Sequence, residues 1–82
     1  MLQFRIIETS ASYPDVLLHR DRDENGKETV QIKAIGIIEG QEDMFAEESI
    51  IFDSYHSACS FIEDFTQKSA EDFCKREGIS YW

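Results

Sequence analysis

The chain has 82 residues, a mass of 9.5 kDa and a formal net charge of −9, from 17 acidic and 8 basic residues. This length predicts one domain spanning residues 1–82, with a single small core. A hydrophobic fraction of 41 %, aromatic residues included, is too high for an intrinsically disordered chain. The acidic surplus argues against direct binding to nucleic acid and to anionic membrane surfaces, because both would repel the chain.

The first third of the chain predicts two strands and a hairpin. Apolar residues alternate with polar ones at Leu2, Phe4 and Ile6. This period of two predicts a half-buried strand with these three side chains toward the core. A second strand begins at residues 16–19. Asn25 and Gly26 then predict a hairpin with a type I′ turn, because both tolerate a positive φ.

A third strand is expected over residues 29–38, with Val30, Ile32 and Ala34 on one face. Gly36 predicts a bulge or bend within it. Residues 39–48 are expected to form a polar loop, and residues 49–52 a fourth strand.

One long helix is predicted from Ser54 to Arg76. Asp53 and Ser54 are suitable N-cap residues, and Gly78 suits the left-handed position after the last turn. Its apolar face would comprise Tyr55, Ala58, Ile62, Phe65, Ser69 and Phe73. The order β-β-β-β-α predicts an α+β fold, a four-stranded antiparallel meander with one C-terminal amphipathic helix packed on one face.

The two cysteines predict free thiols. Cys59 and Cys74 lie about 22 Å apart along an unbroken helix, too far for a disulfide. Residues 1–12 lack the long apolar run of a signal peptide, and no stretch is long enough to span a membrane. We therefore expect a cytoplasmic protein.

One segment resembles the start of a calcium-binding EF-hand loop, with Asp21, Asp23, Asn25 and Gly26 in the required order. The twelfth position, where such a loop needs a bidentate Glu, is Ile32. Strands rather than helices are expected on both sides. These residues are therefore interpreted as a solvated hairpin tip, and neither a metal site nor a cofactor is predicted.

No residues are spaced as a nucleophile with its base, and a small sheet with one helix offers little concavity. His19 and His56 are isolated in the sequence. We therefore expect a protein that is not an enzyme.

The predicted loop and the residue after the fourth strand hold six acidic residues and neither Lys nor Arg: Glu39, Glu42, Asp43, Glu47, Glu48 and Asp53. The rest of the chain is nearly balanced, with 11 acidic and 8 basic residues. The acids are either a solvated loop that keeps the protein soluble or a docking surface for a basic partner. Within the loop, Phe45 either packs into the core or anchors that interface.

The sheet face away from the helix is expected to be unusually apolar. Its candidates are Ile7, Leu17, Ile35, Ile37 and Ile51, mixed with Arg5, Gln31 and Lys33. Ile35 and Ile37 would be covered by the C-terminal tail (residues 79–82), by a second copy of the chain or by a foreign partner.

The preferred hypothesis is a small acidic, non-enzymatic protein-binding module of inhibitor, immunity or adaptor type. It would dock on a basic surface through Glu39, Glu42, Asp43, Phe45, Glu47 and Glu48, where its carboxylates could mimic nucleic-acid charge. Two alternatives stay open. One is a single-stranded nucleic-acid binder that uses the open sheet face, and the other is a homo-oligomeric structural protein.

Overall fold

A computed structural model of the protein describes residues 2–10, 12–38 and 41–79, with the backbone alone at positions 37–38 and 41–44. It contains four strands followed by two helices. Their bounds are β1 Phe4–Ile7, β2 Asp15–Arg22, β3 Glu28–Ile38, β4 Gln41–Phe52, α1 Tyr55–Asp64 and α2 Gln67–Arg76.

The strands form one antiparallel sheet in the order β1-β2-β3-β4, which confirms the predicted meander. Both helices pack on the same face, which we call the helix side, and the other face is the open face. The core lies between the two layers, so the fold is α+β.

Alternation in β2 and β3 builds the strand half of the core. Val16 and Leu18 on β2 are fully buried, as are Val30 and Ala34 on β3. The register sets Leu18 opposite Ile32, so these side chains share one face. The predicted face of β3 is therefore confirmed. The helices complete the core with buried side chains at Ala58, Cys59, Ile62, Phe65, Ala70, Phe73 and Cys74.

The predicted orientation of β1 is wrong. Ile7 lies opposite Val16 and is only 5 % exposed, whereas Phe4 and Ile6 are each 51 % exposed on the open face. Arg5, expected on the open face, also points to the helix side, where it bonds to α1. Because apolar residues occupy both faces of this strand, its sequence pattern alone does not decide which face is buried.

The single predicted helix is two helices. Ser54 caps α1 as expected, since its side chain accepts a hydrogen bond from the Ser57 N–H. Phe65 then adopts an extended conformation with ψ 132°, and Thr66 caps α2 by accepting from the Ser69 N–H at 3.0 Å. The break turns the second segment, so Ser69, expected on the apolar face, is exposed.

The predicted end of the helical region at Gly78 is confirmed. Gly78 has φ +71° and its N–H donates to Lys75 O, while the Ile79 N–H donates to Cys74 O at 2.9 Å. This pair of bonds is a Schellman motif, which satisfies the last carbonyls of α2. Ile79 then packs against the core.

The predicted loop over residues 39–48 is wrong, because β4 begins at Gln41 and runs for 12 residues. Residues 39–40 lie outside the described part of the chain. An irregularity does occur near Gly36, but the register shifts between Ala34 and Ile35. Ala34 pairs with Ala46 and Ile35 with Met44, so Phe45 is the additional residue on β4.

The predicted hairpin between β2 and β3 is confirmed, with a longer turn than expected. The Asp23 N–H donates to Lys27 O, and the Gly26 N–H donates to Asp23 O. Three residues, 24–26, therefore form the loop, and Gly26 takes the left-handed position with φ +79°. This geometry is the three-residue alternative to a type I′ turn.

Candidate binding surfaces

The outer edge of β4 is the longest strand edge in the sheet. In the described part of the chain β4 pairs with β3 alone, at one end of the strand order. The strand at the opposite edge, β1, has only four residues. An edge strand presents unpaired N–H and C=O groups along its outer side, so β4 offers a long row of backbone donors and acceptors.

The two acids of β4 with described side chains, Glu47 and Glu48, lie on opposite faces of the strand. Glu47 is exposed on the open face, in register with Lys33. Glu48 lies on the helix side and forms an ion pair of 2.5 Å with Arg76 of α2. Glu47 and Glu48 therefore belong to a strand and not to the polar loop that the sequence suggested.

The remaining predicted contact residues are only partly described. Glu42 and Asp43 are in register with Ile37 and Gly36, and Glu39 lies outside the described residues. Phe45 is half-buried and packs against the core.

A groove separates β4 from the helices on the helix side. It has a volume of about 290 Å³ and an apolar lining that includes Ile50, Phe61, Phe65 and Phe73. The rings of Phe61 and Phe65 meet edge to face with centroids 5.4 Å apart. Glu48, Asp72 and Arg76 also line this space. We call it the β4 groove. Sequence reasoning missed it because it exists only where two helices meet an outer strand.

The open face carries exposed apolar side chains at both ends. Phe4 and Ile6 lie at the β1 edge, beside a half-buried Leu17, and Ile51 is 65 % exposed on β4. Phe4 also meets His19 edge to face at 6.5 Å. Exposed apolar side chains grouped on one face are typical of an interaction surface.

Of the two isoleucines expected to be covered on this face, Ile35 and Ile37, only Ile35 has a described side chain. Ile35 is half-buried there, whereas the Ile37 side chain lies outside the described residues. Residues 80–82 of the tail are also outside them. Ile79 packs against the core on the helix side, so it does not cover the open face.

A charge cluster lies around the buried Glu28 at the base of the hairpin. Glu28, on the helix side of β3, accepts from Arg22 at 2.8 Å and from Arg20 at 2.5 Å. These hydrogen bonds, that of Arg22 first, lower the pKa of Glu28 against the opposing effect of burial. Arg20 also lies over the Tyr55 ring, 4.8 Å from its centroid. The cluster joins β2 and β3 to the first turn of α1, which is a structural role.

The hairpin tip uses its acidic residues for its own backbone. Asp23 Oδ1 accepts from the N–H groups of Asn25 and Lys27 at 2.9 and 2.8 Å. Ile32, at the position where an EF-hand needs a carboxylate, is buried in the core. No group of three or more His, Cys, Asp or Glu among the described residues is arranged to hold a metal ion.

Cys59 and Cys74 are free, buried thiols on different helices. The distance expected along one unbroken helix therefore does not apply, although the prediction of free thiols is confirmed. Burial, aided by the nearby Glu71, raises the pKa of the Cys74 thiol. A thiol with a raised pKa is a poor nucleophile at neutral pH.

None of the helices in the described ranges has the length and apolar character needed to cross a bilayer. No family model matches the chain, and no curated protein or solved structure matches it either.

Proposed function

We propose that this protein is a small acidic, non-enzymatic protein-binding module that docks on a basic surface of a partner protein. The observation that carries the proposal is the composition of β4, an outer strand of 12 residues with four acids and neither Lys nor Arg. Outer strands commonly carry charge, but more often lysine. A basic partner is the natural complement of an acidic strand in a chain of net charge −9.

Two of the four acids on β4 lie beside a basic residue of a neighbouring element. Lys33 lies in register with Glu47, and Arg76 pairs with Glu48. Beyond the bulge, the register partners of Glu42 and Asp43 are Ile37 and Gly36, which carry no charge. Because these register partners are uncharged, we expect the first half of β4 to steer the encounter with a basic partner.

The test compares two charge variants of equal net charge. In the first, the predicted contact acids are neutralised by Glu39→Gln, Glu42→Gln, Asp43→Asn, Glu47→Gln and Glu48→Gln. In the control, five exposed acids outside β4 are neutralised by Glu8→Gln, Glu24→Gln, Glu63→Gln, Asp64→Asn and Glu77→Gln. Partners retained from a native extract by the unaltered protein are identified, purified and measured against both variants.

We expect the first variant, which we call the β4 charge variant, to lose a basic partner that the control variant retains. Association of the purified pair should slow markedly as ionic strength rises, because salt screens the steering field within about 10 Å at 0.1 M. If both variants lost the partner equally, the loss would be due to net charge and not to the position of the acids. An association rate that does not change with salt would contradict the docking mechanism.

A homodimer formed through the open face is the second candidate. It is favoured by the exposed pair Phe4 and Ile6 beside Leu17. Sedimentation of the purified chain tests it, with the double variant Phe4→Ser/Ile6→Ser compared with Ile51→Ser at the other edge of the same face. A dimer dissociated only by the double variant would support this assignment, and a monomer at all concentrations would exclude it.

Single-stranded nucleic acid is the third ligand to test on the open face. Phe4 and His19 present rings there, but Glu47 is exposed on the same face and repels phosphate. Fluorescence anisotropy with short DNA and RNA at low salt measures this directly. Sub-micromolar binding would overturn the preference for a protein partner.

A further inference from the structure

The outer edge of β4 has the properties of a strand-addition site. Eleven of its 12 residues are in register with β3 on one side, and no described segment pairs with the other side. Extended peptides bind such edges by continuing the sheet, with backbone hydrogen bonds providing affinity and alternate side chains providing specificity. The length of β4 therefore allows a partner segment to be bound along most of the strand.

Charge disfavours a second copy of β4 as the occupant of this edge. An antiparallel pair of β4 strands centred on Phe45 would place Glu42 opposite Glu48, and Asp43 opposite Glu47. Like charges in directly opposed positions destabilise a strand pair. Every other register also brings the four acids of each copy into the same two-stranded pair, where their charges repel. The strand therefore favours a basic segment over its own copy.

The β4 groove adds an apolar requirement on the helix side. Glu48 and Ile50 face this side, and residues opposite them on an added strand would face it too. The groove beside Ile50 is walled by Phe61, Phe65 and Phe73. Phe65 and Phe73 are already buried, whereas Ile50 and Phe61 are half-buried. Apolar side chains on that face of an added strand would cover Ile50 and Phe61 and leave water.

The open side of β4 has the opposite preference. Glu47 is exposed there, with Ser49 and then Ile51 following at alternate positions. A Lys or Arg beside Glu47 would form a cross-strand pair, which contributes about 0.2–1 kcal/mol in sheets. The two faces therefore select a segment in which basic and apolar residues alternate.

We infer that β4 binds an extended segment of its partner as a fifth strand, with apolar side chains entering the β4 groove and basic side chains on the open face. This inference rests on the proposed function, because it specifies how the basic partner is held. It predicts that the contact in the partner is a short extended segment rather than a folded basic surface.

The test uses labelled synthetic peptides and the whole chain. The first peptide alternates Lys and Val. The second has the same sequence with N-methyl groups on alternate residues, which removes backbone donors and blocks strand pairing while keeping charge. The third has the same composition with Lys and Val in separate blocks. We expect the alternating peptide to bind at least about tenfold more tightly than either control at low salt.

A pair of protein variants tests the groove. Ser69→Trp places a large ring in the groove from an exposed position of α2, and Gln67→Trp places the same ring on an exposed position that does not line it. We expect Ser69→Trp to weaken the alternating peptide about tenfold or more, and Gln67→Trp to leave binding within about twofold. Circular dichroism checks that both variants are folded.

Equal binding of the N-methylated peptide would overturn strand addition, and equal binding by both tryptophan variants would overturn the role of the groove. If no peptide binds while the β4 charge variant still loses its purified partner, this inference is wrong and the proposed function stands. If the charge variant also retains that partner, both are wrong.

Discussion

Arg5 Nη1 donates a hydrogen bond of 2.9 Å to the backbone carbonyl of Phe65, the C-cap residue of α1. The same nitrogen contacts the carbonyls of Ile62 and Glu63 at 3.1 and 2.9 Å. The last turn of α1 contains no basic residue of its own. A strand residue 60 positions away therefore satisfies the free carbonyls at this helix end and places positive charge at the negative end of its dipole.

Replacing Arg5 by Met should destabilise the fold while keeping a long apolar stem. We expect a loss of about 1–3 kcal/mol, because hydrogen bonds to a charged group are removed from carbonyls that have few other partners. Urea unfolding gives the change in midpoint at constant slope. The control Lys75→Met removes an exposed cation from α2. Equal stability of the two variants would contradict a capping role for Arg5.

Two adjacent isoleucines test the orientation of β1. Ile7 is 5 % exposed in the core and Ile6 is 51 % exposed on the open face. Ile7→Ala should cost about 2–5 kcal/mol of unfolding free energy, the usual cost of emptying a core site. Ile6→Ala should change it by about 0.5 kcal/mol or less. Thermal and urea unfolding of the two variants measure both values. The reverse order would place β1 in the orientation that its sequence first suggested.

The buried face of a strand could be predicted from sequence only where its two faces differ clearly in polarity. In β3 the apolar residues Val30 and Ile32 alternate with Gln31 and Lys33, so one register is clearly favoured and the predicted face is correct. In β1 both faces are apolar, and its orientation is decided by pairing with β2 and by the contact of Arg5 with α1. Neither is visible in the local sequence.

The helix break and the extent of β4 have similar explanations. Thr66 can lie in the interior of a helix or act as an N-cap that bonds to Ser69. The apolar periodicity of the sequence favoured the interior position.

The acids of β4 are poor strand formers, and their presence favoured the prediction of a loop. Pairing with β3 overrode that preference. The acidic composition of the candidate site was predictable from sequence, but its position on an outer strand beside a groove was not, because that depends on strand order.

The α2 N-cap provides a local test of the helix break. Thr66→Ala removes the oxygen that accepts from the Ser69 N–H at 3.0 Å. We expect a loss of about 1 kcal/mol, within the range measured for N-caps. Thr66→Ser should retain most of the stability because it keeps the hydroxyl. Chemical denaturation distinguishes the variants, and an unchanged midpoint for Thr66→Ala would show that this cap contributes little.

Glu28 should make part of the stability dependent on pH. Its carboxylate is bonded by Arg22 and Arg20, and these bonds hold its pKa below the ordinary value. A carboxyl whose pKa is lower in the folded state stabilises the fold above its unfolded pKa, about 4.3. This contribution is lost as pH falls through the lower folded value, because the unfolded chain then binds the proton more readily.

Glu28→Gln should therefore be most destabilising near neutral pH, and its difference from the unaltered protein should shrink below about pH 4. Urea unfolding at a series of pH values measures this difference. The control Glu63→Gln, at an exposed position of α1, makes the same change in net charge and should show a much weaker trend. A difference for Glu28→Gln that stays constant from neutral to acid pH would mean that its pairing with the two arginines does not favour the ionised form in the folded state.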